Sequence, residues 1–281
     1  MPIWFVVVLL GIVEGITEFL PVSSTGHLIV TEKLLQMAGL LSPENWLLKG
    51  SAQKDLFNIV IQSGAVLAVI PLFRERFHQF LFKWRQPETQ LYGAKLLFAC
   101  AITGLPGYIL DKKGLKLPEQ LTPIAVALFI GGLAFIIIEN WLKGRPLVNE
   151  VTWTMAVAVG VGQLLAAIFP GTSRSGATIL LCLILGLNRP AATEFCFLVG
   201  IPTMLAAGGL KIFKALHHPA PGAAPQHWDM VFLGFVISAI VSFIAVKWLL
   251  RYIQTHTFVL FGWYRIAAAA LVLMLLLLGH G

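Results

Sequence analysis

The 281-residue sequence predicts an all-α integral membrane protein, an inverted-topology repeat of six transmembrane helices and two re-entrant helix pairs. Composition is the first reason. The chain is 58% hydrophobic and 12% charged, where a soluble domain carries roughly 25% charge, and its mean hydropathy is +0.84. Length is the second. Several stretches run for about 20 residues with little or no charge, enough at about 1.5 Å per residue to cross a hydrocarbon core of about 30 Å. The third is a pair of polar, proline-containing motifs inside apolar runs, each at the same place in its half of the chain.

The first apolar region, residues 2–39, is split by the polar motif at 20–27. Neither part spans a bilayer comfortably, so a helix–turn–helix that enters and leaves by one face is expected. Irregular backbone of that kind persists at membrane depth only where protein covers it or water lines it. Spans are expected next at 55–73, 92–110 and 121–142. The region 152–187 is split in the same way at 170–178, and spans at 190–211, 229–250 and 258–278 follow. The chain 1–281 therefore reads as one polytopic domain of two repeats, 1–142 and 143–281.

Their register is sparse in identities. An offset of 149 places Gly11 on Gly160, Glu14 on Gln163, Pro21 on Pro170 and Ser24 on Ser173. A one-residue gap instead aligns Ser23 with Ser173 and Gly26 with Gly176, and an offset of 138 aligns the Phe57–Val69 run with Phe195–Ala207. With three spans per half the halves are inverted, which brings the two broken helices together near the midplane.

The net charge of +7 points to lipid rather than nucleic acid, because the basic residues sit in short connections such as Arg74, Arg76, Lys83 and Arg85. Connections at 74–91, 143–151, 187–189 and 247–257 carry nine Lys/Arg, and those at 31–54, 111–120 and 211–228 carry eight. That margin favours a cytoplasmic Arg74–Arg85 loop, with both termini and the first re-entrant turn outside. Cys100, Cys182 and Cys196 lie in apolar runs without ligand spacing and in odd number, against a disulfide framework. The N-terminal run lacks a basic leader and an Ala-x-Ala exit, so it is expected to belong to the mature protein. Paired glycines at Gly131-Gly132 and Gly208-Gly209 suit packing within or between chains, which leaves homo-oligomer formation open.

Chemistry concentrates at the two motifs. Glu14 and Glu18 are four apart and share a helix face. Two carboxylates in an apolar segment need a cation, a proton or a basic partner. A hard divalent ion, magnesium or calcium, completing its shell with water and phosphate oxygens would suit them; the bland reading is a pair that points into headgroup water. Ser23, Ser24 and Thr25 stand where a second helix begins. They are an N-cap, or an anion site built from free N–H groups and the helix dipole. His27, a turn further in, would be a general base, a general acid or the nucleophile. His78, His217, His218, His227, His256 and His280 read as connection or terminal residues.

In Pro170-Gly-Thr-Ser-Arg174-Ser-Gly-Ala-Thr178, hydroxyls and glycines surround one Arg whose planar fork suits phosphate oxygens; an Arg174–Glu18 ion pair is the structural alternative. Gln62, Glu194 and Arg265 are further polar residues within spans, suited equally to supporting the site and to interhelix hydrogen bonds. Carboxylates for metal, a guanidinium and N–H groups for phosphate, and a nearby nucleophile describe phosphate-ester or anhydride chemistry.

At these residues, Glu14-Gly-Ile-Thr-Glu18-Phe-Leu-Pro-Val-Ser-Ser-Thr-Gly-His27 and Pro170-Gly-Thr-Ser-Arg174-Ser-Gly-Ala-Thr178, the chain resembles the undecaprenyl-pyrophosphate phosphatase family, bacterial membrane enzymes associated with bacitracin resistance. The hydropathy layout agrees over essentially the whole chain. The resemblance implies a multi-pass protein of the inner membrane that hydrolyses undecaprenyl pyrophosphate to undecaprenyl phosphate and inorganic phosphate with a divalent cation. That recycles the lipid carrier of cell-wall synthesis, with the site on the outer face. It implies metal or acid–base roles for Glu14 and Glu18, a catalytic role for His27 and phosphate binding by Arg174. Ser24 would be the nucleophile, and Ser173, Ser175 and Thr178 would contact phosphate, beside Ser23 and Thr25.

The residues themselves leave the nucleophile open: Ser24 activated by His27, His27 attacking directly, or a metal-bound water. A different class, a lipid-phosphate transporter or flippase, would use the same anion cradle. What speaks for bond cleavage is Glu14 and Glu18 beside His27, because a carrier needs the cradle but no acid–base groups.

Overall fold

A computed structural model describes residues 2–42, 45–47, 52–112, 120–217 and 227–279; His218 and His280 lie outside the described residues. The chain folds into helices α1 (Ile3–Thr17), α2 (Ser24–Met37), α3 (Ala52–Val69), α4 (Arg74–Phe82), α5 (Pro87–Lys112), α6 (Leu121–Trp141), α7 (Trp153–Ile168), α8 (Arg174–Ile184), α9 (Arg189–His217), α10 (Trp228–Tyr252) and α11 (Val259–Gly279). Among the described residues five helical stretches, 53–82, 121–141, 189–217, 228–252 and 259–278, are long and apolar enough to cross a membrane.

The first span differs from its expected limits. Instead of ending near residue 73, the helix passes through a 3₁₀ turn at Ile70–Phe73 into α4. Pro71 lacks an N–H and tightens the chain there without stopping it. The stretch after Arg74, read as a loop, is therefore helical up to Phe82. Leu81 and Phe82 are largely exposed. Arg76 reaches back to Glu194 of α9 at 2.6 Å and lies over the Tyr92 ring of α5.

Close approaches through small residues assemble the bundle. A Cβ on Gly11 would meet the Gly234 carbonyl at 3.0 Å, and one on Gly15 the Ser238 carbonyl at 2.7 Å, so α1 lies almost backbone to backbone on α10. In the other half, a Cβ on Gly160 would meet Ile102 at 2.7 Å and the Ala99 carbonyl at 2.9 Å, so α7 sits in the same manner on α5. α6 and α11 cross at Gly132 and Gly262, each facing the other's carbonyl. Gly132 is thus used within the chain. At one end of the bundle Glu139, fully buried, accepts from the Arg189 guanidinium and from the Phe258 N–H at 2.8 Å, joining α6, α9 and the start of α11. The buried core gathers Phe19, from the turn between α1 and α2, with Phe73, Phe135, Phe195, Phe197 and Phe258.

Candidate active site

Both polar motifs form the same turn. After α1 ends, the chain passes Pro21 and starts α2 from Ser23, whose φ is +77°. After α7 it passes Pro170 and starts α8 from Ser173, with φ of +69°. Such angles are rare outside glycine. In each case the serine side chain repays part of the strain as an N-cap, accepting from the N–H of Gly26 at 3.4 Å or of Gly176 at 3.1 Å. The turns therefore follow the register that pairs Ser23 with Ser173 and Gly26 with Gly176, one residue off the register of the preceding helices.

The two turns face one polar cavity of about 50 Å³, lined by Glu18, Ser23, Ser24, Thr25 and Gln62 on one side and Ala166, Gly171, Ser173 and Arg174 on the other. It is small and lined mostly by polar groups, which suits a phosphoryl group rather than a lipid chain. Backbone N–H groups of Ser24 and Thr25 on α2, and of Arg174 and Ser175 on α8, have no hydrogen-bond partner among the described residues. Two helix N-termini thus present donors and positive dipole ends to one space, a ready anion site.

Ser24 donates its hydroxyl to Glu18 Oε2 at 2.5 Å. Arg174 is half-buried, and among the described residues its guanidinium has neither a hydrogen bond nor an ion pair. The structural alternative of an Arg174–Glu18 pair is not made. Glu14 lies one turn back on α1, 1% exposed, within electrostatic reach of Glu18 and Arg174. Its Oε2 is buried without a partner.

Among the described residues His27 makes no hydrogen bond to Ser24. Its Nδ1 lies 2.7 Å from the Ser23 carbonyl and its Nε2 2.7 Å from the Tyr264 hydroxyl, over which the ring stacks. A carbonyl only accepts, so Nδ1 carries the proton and Nε2 accepts from Tyr264. Of the roles expected for His27, that of base for Ser24 has no hydrogen bond in this structure, where the Ser24 hydroxyl meets Glu18 instead. Ser24 is the first helical residue and its side chain bonds Glu18, whereas the His27 ring is held between the Ser23 carbonyl and the Tyr264 hydroxyl. His27 instead lines an apolar cavity of about 250 Å³ with Val30, Leu128, Tyr264, Ala268 and Leu271.

Ser175 and Thr178 also lie off the cavity. Ser175 donates to the Leu20 carbonyl at 3.1 Å, tying α8 to the first turn, and Thr178 donates to the Arg174 carbonyl at 2.8 Å. Ser23, Thr25 and Ser173 do line it, and so does Gln62. Glu194 is engaged elsewhere, with Arg76. Tyr264 went unnoticed in the sequence, because a Tyr in an apolar run carries no signal of its own. Arg265 had one, a cation in the middle of an apolar helix.

The donor set suits a hard divalent cation: two carboxylates, one with an unpartnered buried oxygen, beside a space for phosphate oxygens. Among the described residues no cluster of three or more His, Cys, Asp or Glu exists, so the protein alone would not complete a shell.

Comparison with known proteins gives the family. The model of the bacitracin resistance protein BacA family matches residues 7–271. The chain belongs to the BacA family. Its relatives within the family include proteins named undecaprenyl-diphosphatase. That of Rhizobium etli strain CFN 42 is 48% identical over 266 residues, 94% of each chain. That of Xanthomonas oryzae pv. oryzae strain PXO99A is 42% identical over 267 residues, 95% of this chain and 94% of its own. The Xylella fastidiosa protein is 43% identical over 270 residues, 96% of this chain and 97% of its own. Both motifs of this BacA-family chain lie inside the matched region.

Proposed function

We propose that the chain is a membrane phosphatase that hydrolyses undecaprenyl pyrophosphate to undecaprenyl phosphate and inorganic phosphate, recycling a cell-wall lipid carrier and so conferring bacitracin resistance. One observation carries the reading. A serine hydroxyl held by a carboxylate at 2.5 Å shares a cavity with an unpaired arginine and two helix N-termini. A lipid-phosphate carrier would use the arginine and the N–H groups but leaves the Ser24–Glu18 bond without a purpose.

In the proposed mechanism the terminal phosphoryl group enters the cavity, its oxygens held by Arg174 and by the N–H groups of both turns. Ser24 Oγ attacks phosphorus while Glu18 accepts its proton, and the bond from phosphorus to the bridging oxygen breaks. Undecaprenyl phosphate leaves, taking the proton from Glu18, and a phosphoserine remains. Water then attacks that phosphorus, giving a proton to Glu18. Glu18 returns a proton to Ser24 Oγ as inorganic phosphate departs. Glu14, with Glu18, would hold a magnesium or calcium ion, which when bound neutralises charge on the pyrophosphate oxygens.

The same reading includes six spans, with α5 as the sixth, and two re-entrant pairs, α1–α2 and α7–α8, in inverted halves of the inner membrane. The two matching turns support it, as does the exchanged packing of α1 on α10 and α7 on α5. The outward-facing site rests on the margin of nine Lys/Arg to eight between the two sets of connections, which favours a cytoplasmic Arg74–Arg85 loop.

The deciding test is phosphate release from undecaprenyl pyrophosphate by purified protein, with and without chelator, beside Arg174→Ala. Metal-dependent release that Arg174→Ala abolishes supports the proposal. A folded protein that binds the lipid and releases nothing would sink it in favour of a carrier.

A further inference from the structure

Arg265 sits in the middle of α11 with 1% of its surface exposed. Its Nη1 donates to the Pro21 carbonyl at 3.2 Å, and its Nη2 to those of Ala127 at 3.0 Å, Thr172 at 3.1 Å and Gly171 at 3.4 Å. Nε reaches the Leu128 carbonyl at 3.4 Å. Among the described residues no carboxylate pairs with it. A buried guanidinium satisfied only by neutral carbonyls is costly, and these carbonyls share a location: Pro21 belongs to the first turn, Gly171 and Thr172 to the second, and Ala127 and Leu128 to α6 beside them.

We infer that Arg265 is the positioning residue of the site, the strut that sets the Ser24–Glu18 turn at its working distance from Arg174. One planar, rigid group bonds to both turns at once, so neither shifts without breaking a bond to the other's anchor. The strut also aims donors. In a trans peptide the C=O and N–H point in opposite directions. Drawing the Thr172 carbonyl onto Arg265 therefore turns the Ser173 N–H, unpartnered among the described residues, away from the strut. The adjacent Tyr264 extends the grip, since its hydroxyl holds His27 and His27 holds the Ser23 carbonyl. Among the residues lining the polar cavity, α11 reaches the Gly171 carbonyl through these side chains, and it braces both of the cavity's walls.

This inference rests on the phosphatase reading, and its test separates the two. Arg265→Lys keeps the charge but loses the fork. Gly131→Ala leaves Arg265 in place, but the added Cβ would overlap its guanidinium from α6. Both are assayed for phosphate release per folded molecule. Spin labels on Met37→Cys and Leu185→Cys, exposed ends of α2 and α8, report the spacing of the two turns in a Cys100→Ala background. The expected result is a fall in kcat of about 100-fold with KM within about threefold, together with a shifted or broadened label distance.

Three results would overturn it: kcat intact in both variants, a raised KM with intact kcat, or lost kcat at unchanged label distance. If Arg265→Lys does not fold, Gly131→Ala decides. Should the parent chain release no phosphate, the phosphatase reading falls, while the label distances still decide whether Arg265 braces the turns.

Discussion

Replacing Glu18 with Gln exchanges one oxygen for an amide nitrogen in the group that receives the Ser24 hydroxyl at 2.5 Å. Volume and shape are kept, and Glu18 is only 8% exposed, so the packing of the first turn survives. What disappears is the proton acceptor. General-base catalysis contributes about 10²–10⁴ in rate, which at about 1.36 kcal/mol per tenfold is roughly 3–5 kcal/mol of barrier. Glu18→Gln should lower kcat by at least about 100-fold with an unchanged melting temperature, measured as initial phosphate release in detergent. Acid quench within a single turnover, followed by mass spectrometry, should find phosphate on residue 24 of the parent and none in the variant.

His27→Asn is the companion. Its amide can still donate to the Ser23 carbonyl, the bond that His27 Nδ1 makes at 2.7 Å, so kcat should stay within about tenfold. Glu18→Gln retaining its rate while His27→Asn loses it would refute the assignment and return His27 to the chemistry.

Gly15→Ala should destabilise the protein by about 1–3 kcal/mol in thermal unfolding, because the new Cβ meets backbone atoms of Ser238 and Ser242 at 2.7 and 3.0 Å. Gly209→Ala, with no atom within 4 Å, is the control that should change nothing. Glu139→Ala strands the Arg189 guanidinium and the Phe258 N–H and should cost about 3–5 kcal/mol, read as a lowered melting temperature. A melting temperature that stays put would deny the pair its structural role. Glu14→Gln should weaken magnesium or calcium binding by at least about tenfold in calorimetric titration, since it removes the charge on the unpartnered buried oxygen. Unchanged ion affinity would move the cation away from Glu14.

The broken helices were legible because Pro21 and Pro170 with their hydroxyl neighbours are conspicuous in a chain this apolar. The expected spans lie on helices. Among the described residues five of those helical stretches are long and apolar enough to cross a membrane, α5 at the expected span 92–110 not being one of them. The end of the first span was missed because Pro71 sits where a 3₁₀ turn absorbs it. The site was legible in residue type and obscure in direction. Sequence spacing put Ser24 and His27 one turn apart but not which way each side chain leaves a helix start. Ser175 and Thr178 look like Ser173 in the sequence, yet they bond to backbone, and nothing in a hydroxyl residue's identity distinguishes the two uses. Arg265 was visible as an anomaly, but its partners are carbonyls, which every residue has.

The two turns share a backbone shape and carry different cargo. Counting from Ser23 and Ser173, Ser24 occupies the place of Arg174, Thr25 that of Ser175 and His27 that of Ala177. Two identical turns would offer an incoming pyrophosphate the same face from either side, and the anhydride could settle either way round. With an acid–hydroxyl wall opposite a cationic one, the pocket has a handedness of charge that the ligand must match. Under the proposed mechanism, that asymmetry is what selects the terminal phosphorus over the one bearing the lipid.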